Sequence, residues 1–108
     1  MEFDDRADAE MYHVAWVLAA LGHTLRLKIW CMLVPYGSNG LSVESIAAQL
    51  AVPTSPLLFH LQQMTRAGVL WQHRLSHRTM YGVNRDVWDR SCDFINRRSP
   101  GEAIEAPF

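Results

Sequence analysis

The chain has 108 residues, of which 49% are apolar and 19% charged, which suits one packed domain of residues 1–108 and is too hydrophobic for a disordered chain. A net charge of −1 excludes a polybasic membrane binder and a strongly acidic protein. Two cysteines, no signal-peptide pattern and no apolar run long enough to span a bilayer point to a cytoplasmic protein with no membrane partner and no disulfide scaffold.

Charge is unevenly distributed. Residues 1–44 hold the acids Glu2, Asp4, Asp5, Asp8, Glu10 and Glu44 against three bases, and residues 86–108 hold five acids against three bases. Residues 45–85 hold no acid at all, against Arg66, Arg74, Arg78 and Arg85, with His60, His73 and His77 besides. A cationic stretch between acidic ends is the electrostatic footprint of a nucleic-acid surface.

The ordered core is expected over about 9–98, between an acidic N-terminal segment and a loose tail at 99–108. From Ala9 to Leu21, Tyr12, Ala15, Trp16, Ala19 and Ala20 recur at three- and four-residue steps and predict a helix with a broad apolar face, stopped by Gly22. A second helix is expected from Thr24 to Val34, with Leu25, Ile29 and Met32 inward, until Pro35 and the cluster Gly37-Ser38-Asn39-Gly40 break it. Ser42 offers an N-cap for a short helix from Val43 to Leu50. Pro53 ends that stretch, and Thr54 or Ser55 can cap the next helix, with Pro56 in its first turn and Gly68 as its stop. Two helices joined by about three residues form a helix-turn-helix.

After Gly68 the pattern turns to period two: Val69-Leu70-Trp71, a polar turn at Ser76-His77, then Thr79 to Val83, which reads as a hairpin. Asn84-Arg85-Asp86 starts a last helix carrying Val87, Trp88, Cys92 and Ile95 and ending by Ser99-Pro100. The expected fold is mainly α with a small β-hairpin, in the order α-α-α-α-β-β-α of a winged helix-turn-helix.

Leu21-Gly22-His23-Thr24-Leu25-Arg26-Leu27-Lys28-Ile29, Leu41-Ser42-Val43-Glu44-Ser45-Ile46-Ala47, Val52-Pro53-Thr54-Ser55-Pro56-Leu57-Leu58-Phe59-His60-Leu61 and Ala67-Gly68-Val69-Leu70 together resemble the ArsR/SmtB family of bacterial repressors. The similarity covers roughly Trp16 to Ile95. It implies a homodimeric transcriptional repressor that binds a (pseudo)palindromic operator in double-stranded DNA, not an enzyme. Nor do the residues form a catalytic constellation or a phosphate-binding glycine loop. The alternative class is a winged-helix protein-interaction module without DNA function, against which the acid-free stretch argues.

In such a protein the helix from Ser55 to Arg66 enters the major groove. Thr54, Ser55, Leu58, His60, Gln63 and Arg66 are its candidate DNA contacts, and Arg74, His77 and Arg78 at the hairpin tip are those of the wing. Leu57 and Leu61 are expected in the core, and His60 is either a DNA contact or a structural histidine. Leu58 and Pro56 stand where family members commonly have hydroxyls, so the operator is either read through apolar contacts or bound more weakly. The resemblance further implies a dimer interface on the first and last helices, here through Tyr12, Trp16, Trp88, Phe94 and Ile95; the alternative is that these side chains fill the monomer core.

The family's metal sites are not matched. Leu41-Ser42-Val43-Glu44 has no thiol at one of them. The last helix offers Asp86, Asp89 and Asp93 without a histidine, and Ser99-Pro100 stand where adjacent cysteines are found in a third type. No metal or other cofactor is expected, and the sequence names no effector. Cys31 matches the second-helix cysteine of members that sense reactive sulfur or oxidants, and Cys92 falls early on the last helix. Two readings stay open for the pair: a dithiol switch, or inert buried packing.

Overall fold

The computed structural model describes residues 5–98. The acids Glu2 and Asp4, the expected loose tail at 99–108 and the Ser99-Pro100 stop lie outside the described residues. The elements in chain order are α1 (Asp5–Leu21), α2 (Thr24–Leu33), a 3₁₀ segment (Val34–Asn39), β1 (Leu41–Ser42), α3 (Val43–Leu50), α4 (Thr54–Arg66), β2 (Leu70–Arg74), β3 (Thr79–Val83) and α5 (Arg85–Arg98).

Helix α1 starts at Asp5, four residues before the expected Ala9. Acidic residues such as Asp8 favour the positive end of a helix macrodipole, so this stretch extends the helix instead of preceding it. Val14, Val17, Ala20 and Leu21 are the buried residues of α1, whereas Tyr12, Ala15, Trp16 and Ala19 are exposed. The apolar face read from the sequence therefore points outward, apart from Ala20, and a second stripe does the packing.

Helix α2 is capped by His23, whose Nδ1 accepts the Leu25 amide at 3.1 Å. It buries Ile29, Trp30 and Leu33, with Leu25 and Met32 half-buried. The segment expected as a simple break is a 3₁₀ helix from Val34, kinked at Gly37, and it leads into a strand absent from the sequence reading. That strand, β1, pairs antiparallel with β3, Leu41 opposite Tyr81, so the expected hairpin is a three-stranded sheet of order β1-β3-β2. Two residues carry no readable alternation, which is why β1 was invisible in sequence.

The helix-turn-helix forms where expected. Ser42 Oγ accepts the Ser45 amide at 3.2 Å and caps α3. Ala51, in the left-handed region at φ 54°, closes α3, with the Val52 amide donating to the Ala47 carbonyl at 3.1 Å. Helix α4 begins at Thr54 with Pro53 at the cap, and neither Thr54 nor Ser55 caps it as expected. Both hydroxyl residues already lie inside the first turn, where their side chains cannot reach the orphan amides in the N-cap geometry. At the other end Gly68, at φ 85°, donates to the Thr65 carbonyl and Val69 to that of Met64, a Schellman stop.

One hydrophobic cluster joins these elements, with Val17, Ile29, Leu33, Ile46, Leu57, Leu61, Met64 and Val69 fully buried. Each such aliphatic side chain is worth roughly 1.5–3 kcal/mol relative to exposure. Leu57 and Leu61 thus occupy the core as expected, and they turn the opposite side of α4 to solvent. The sheet packs its Leu70, Tyr81 and Val83 side on α4. Trp71, paired with Gly82, lies on the other side, and its indole covers Gly82 so closely that any Cβ there would overlap the ring. Gly40 is excluded from larger side chains too: a Cβ there would sit 2.7 Å from the same indole and on the Tyr81 carbonyl. The two glycines let the wing's one tryptophan lie flat across the base of the sheet.

Candidate nucleic-acid interface

Core residues Leu57, Leu61 and Met64 fix the orientation of α4. The stripe diametrically opposite is Ser55, Phe59, Gln62 and Arg66, at i, i+4, i+7 and i+11, and all four are exposed. Ser55 and Arg66 were expected there. Phe59 and Gln62 were not among the candidate contacts read from the sequence. The signal that finds them is the helical phase of Leu57, Leu61 and Met64, which puts Phe59 half a turn away.

The other candidates on α4 lie on its flanks. Thr54 and the half-buried Leu58 face the wing, lining a cleft of about 550 Å³ with Val43, Glu44, Arg74, His77 and Arg78. The acid-free stretch therefore meets one carboxylate, Glu44, at the wall of this cleft. On the far flank, half-buried Gln63 lies beside half-buried His60. Arg26 of α2 donates its Nε–H to His60 Nδ1 at 3.1 Å, and the His23 ring packs 4.8 Å from the His60 ring. Burial, first, and then the nearby Arg26 and His23 hold the His60 imidazole below the ordinary histidine range. His60 is thus engaged within the chain, through the ring nitrogen that accepts from Arg26.

The wing tip is built by the Leu75 amide donating to the Arg78 carbonyl at 2.8 Å, which leaves Ser76 and His77 as the turn expected from sequence. Arg74, His77 and Arg78 are all exposed. Arg74 shares a sheet face with Tyr81 across the ladder and partly offsets the rise that burial causes in the Tyr81 phenol. The arrangement is a helix presenting polar and aromatic side chains outward, with a basic loop standing beside its N-terminal half.

Of the proposed interface residues, Tyr12 is 78% exposed, Trp16 54% and Ile95 40%, joined by exposed Met11 and Leu18. Phe94 is only 4% exposed, so it belongs to the protomer interior and not to a free face. Trp88 is half-buried, its ring 5.8 Å from that of Trp30 on α2. The sequence did not separate these side chains because α5 is amphipathic, and helical phase alone does not say which neighbour covers which stripe. On the surface, Arg97 of α5 reaches Glu10 of α1 at 3.6 Å and Asp93 at 3.5 Å, pairs that contribute little each.

Both cysteines are free thiols; Cys31 is exposed and Cys92 half-exposed. Buried packing therefore does not describe Cys31. Among the described residues, no three His, Cys, Asp or Glu side chains gather as a metal site, and no single helix is long and apolar enough to cross a membrane.

These elements define a winged helix-turn-helix. Among solved structures, the chain is similar to the homodimeric winged helix-turn-helix DNA-binding domain of Mb0332 from Mycobacterium bovis, a possible ArsR-family transcriptional regulator. The two share 22% identity at a TM-score of 0.69, over 98% of this chain and 99% of that one. It is similar also to reduced HlyU from Vibrio cholerae, at 21% identity and a TM-score of 0.66 over 90% of this chain and 100% of that one. The transcriptional repressor BigR from Xylella fastidiosa has 18% identity and a TM-score of 0.63, over 92% of this chain and 99% of that one. The chain thus has the fold of ArsR-family winged helix-turn-helix regulators. No protein-family model matches it, and no curated protein sequence does.

Proposed function

We propose that this chain is a transcriptional repressor of the ArsR/SmtB family, acting in the cytoplasm as a homodimer on a (pseudo)palindromic operator. The observation that carries the reading is the pairing of α4's outward stripe with the basic wing tip, both within the acid-free stretch from 45 to 85. A helix of this diameter enters a major groove about 12 Å wide, and a cationic loop beside it reaches the flanking phosphates or minor groove. Ser55 and Arg66 lie on the groove-facing stripe, Thr54 and Leu58 toward the wing, and His60 and Gln63 on the other flank, with Arg74, His77 and Arg78 on the backbone side.

The partner for α1 is a second copy of the chain. Its outward Tyr12, Ala15, Trp16 and Ala19 form an apolar stripe, and Ile95 of α5 is exposed as well, a composition suited to a stable interface. A twofold dimer then sets two α4 helices for half-sites a helical turn or a multiple of it apart. Repression is operator occlusion, relieved when an effector favours a dimer whose helices no longer match the grooves.

A second reading adds thiol control through Cys31 and Cys92. The exposure of Cys31 favours it, as does the contact of α2 with α5 through Trp30 and Trp88, one residue before Cys31 and one turn before Cys92. Fluorescence anisotropy on DNA upstream of the chain's own gene tests both readings. Salt-sensitive, sequence-specific binding supports the repressor, and weakening by polysulfide that disappears in Cys31→Ser supports the switch. Binding unaffected by polysulfide removes the switch alone, and no salt-sensitive binding in either redox state removes both.

A further inference from the structure

We propose that Phe59 reads the methyl group of a thymine in each operator half-site. The inference rests on the DNA-binding reading above and adds what that surface selects. Phe59 is 56% exposed at the middle of the outward stripe of α4, one turn after Ser55 and followed by Gln62 and Arg66. The core positions of this helix are filled by Leu57, Leu61 and Met64, so the phenyl ring has no place inside its own chain. It offers no conventional hydrogen bond to a base edge. The one apolar group that the major groove presents is the thymine C5 methyl, and phenylalanine is among the side chains that contact it.

Two further features point the same way. From Thr54 to Thr65 the helix carries no Lys or Arg, the residues that pair with guanine. Gln62, beside Phe59 on the stripe, has the amide that pairs with adenine N6 and N7. An adenine·thymine step satisfies both side chains. The ring is also oriented before DNA arrives, because its neighbour in sequence, His60, meets it edge-on at a centroid separation of 5.8 Å and is itself anchored by Arg26 at 3.1 Å. Such pre-organisation lowers the ordering cost of binding.

The test starts from the duplex that the full-length protein selects from a random-sequence pool. Each thymine of that duplex is replaced in turn, symmetrically in both half-sites, by deoxyuridine, which removes the methyl and keeps the base pair. Burial of one methyl is worth about fourfold in affinity, hence about fifteenfold for a dimer touching two. One thymine per half-site is expected to show that loss with the wild type, and Phe59→Ala, a surface change, is expected to bind the thymine and deoxyuridine duplexes equally. Thermal unfolding and non-specific, salt-dependent binding report that the variant is folded. Equal wild-type affinity for all duplexes overturns the proposal, as does Phe59→Ala retaining the same penalty or a selected site without thymine. Each of these leaves the repressor reading intact; the absence of salt-sensitive binding to any duplex overturns both.

Discussion

Arg26 on α2 donates its Nε–H to Nδ1 of His60 on α4 at 3.1 Å, so α4 is tied to the helix beneath it through an acceptor that only a neutral imidazole supplies. Burial, Arg26 and His23 lower the His60 pKa from the ordinary 6.5. The unfolded chain then takes up this proton more readily than the folded one, so the contribution to stability is complete above pH 6.5 and is lost as pH falls through the lowered value. Thermal unfolding followed from pH 7.5 to 5 is expected to show a decline in wild type that is shallower in His60→Gln. Parallel profiles for the two proteins would count against this assignment.

The wing depends on Trp71 lying across Gly82. Gly82→Ala is expected to cost about 1–3 kcal/mol by overpacking, which lowers the melting temperature by roughly 4–8 °C per kcal/mol at this size. In a Trp71→Ala background the same change is expected to be close to neutral, because the ring it collides with is gone. A double-mutant cycle followed by urea unfolding checks this; additive effects would contradict the contact.

Arg78 stands at the wing tip, exposed and lining the cleft beside α4. If it touches a phosphate, Arg78→Ala weakens binding to all duplexes and lowers the slope of log affinity against log salt by about one; if it reads a base, the loss is about 1–3 kcal/mol and confined to the cognate site. Salt titrations on cognate and scrambled DNA separate the two. An unchanged slope together with unchanged affinity would remove Arg78 from the interface.

Trp16 is the largest side chain of the outward stripe on α1. Trp16→Glu places a charge at the proposed twofold interface and is expected to yield a folded monomer in sedimentation velocity. Operator affinity then falls by about a hundredfold or more, because the second half-site contact is no longer linked to the first. A dimer that survives this change, with Tyr12→Glu behaving alike, would move the interface elsewhere.

The helix-turn-helix was legible in sequence because its signals are local. Ser42, Pro53 and Gly68 fix helix ends through the φ values and hydrogen bonds available to single residues, and the period of Leu57, Leu61 and Met64 is a property of one helix. The acid-free stretch and the Ser76-His77 turn were legible for the same reason. Strand β1 was not, since two residues form a strand only when β3 lies alongside to pair with them.

What the tertiary structure alone decided is which side of each apolar helix is covered. Helix α1 carries apolar residues on both sides, and only the packing of Val14 and Val17 against the rest of the chain leaves Tyr12 and Trp16 outward. Phe94 and Ile95 are adjacent in sequence, yet one is interior and the other exposed. His60 reads as either a DNA contact or a structural histidine until Arg26, 34 residues away, occupies its acceptor nitrogen. Burial and hydrogen-bond pairing belong to neighbours brought together from distant parts of the chain, and a one-dimensional pattern does not specify them.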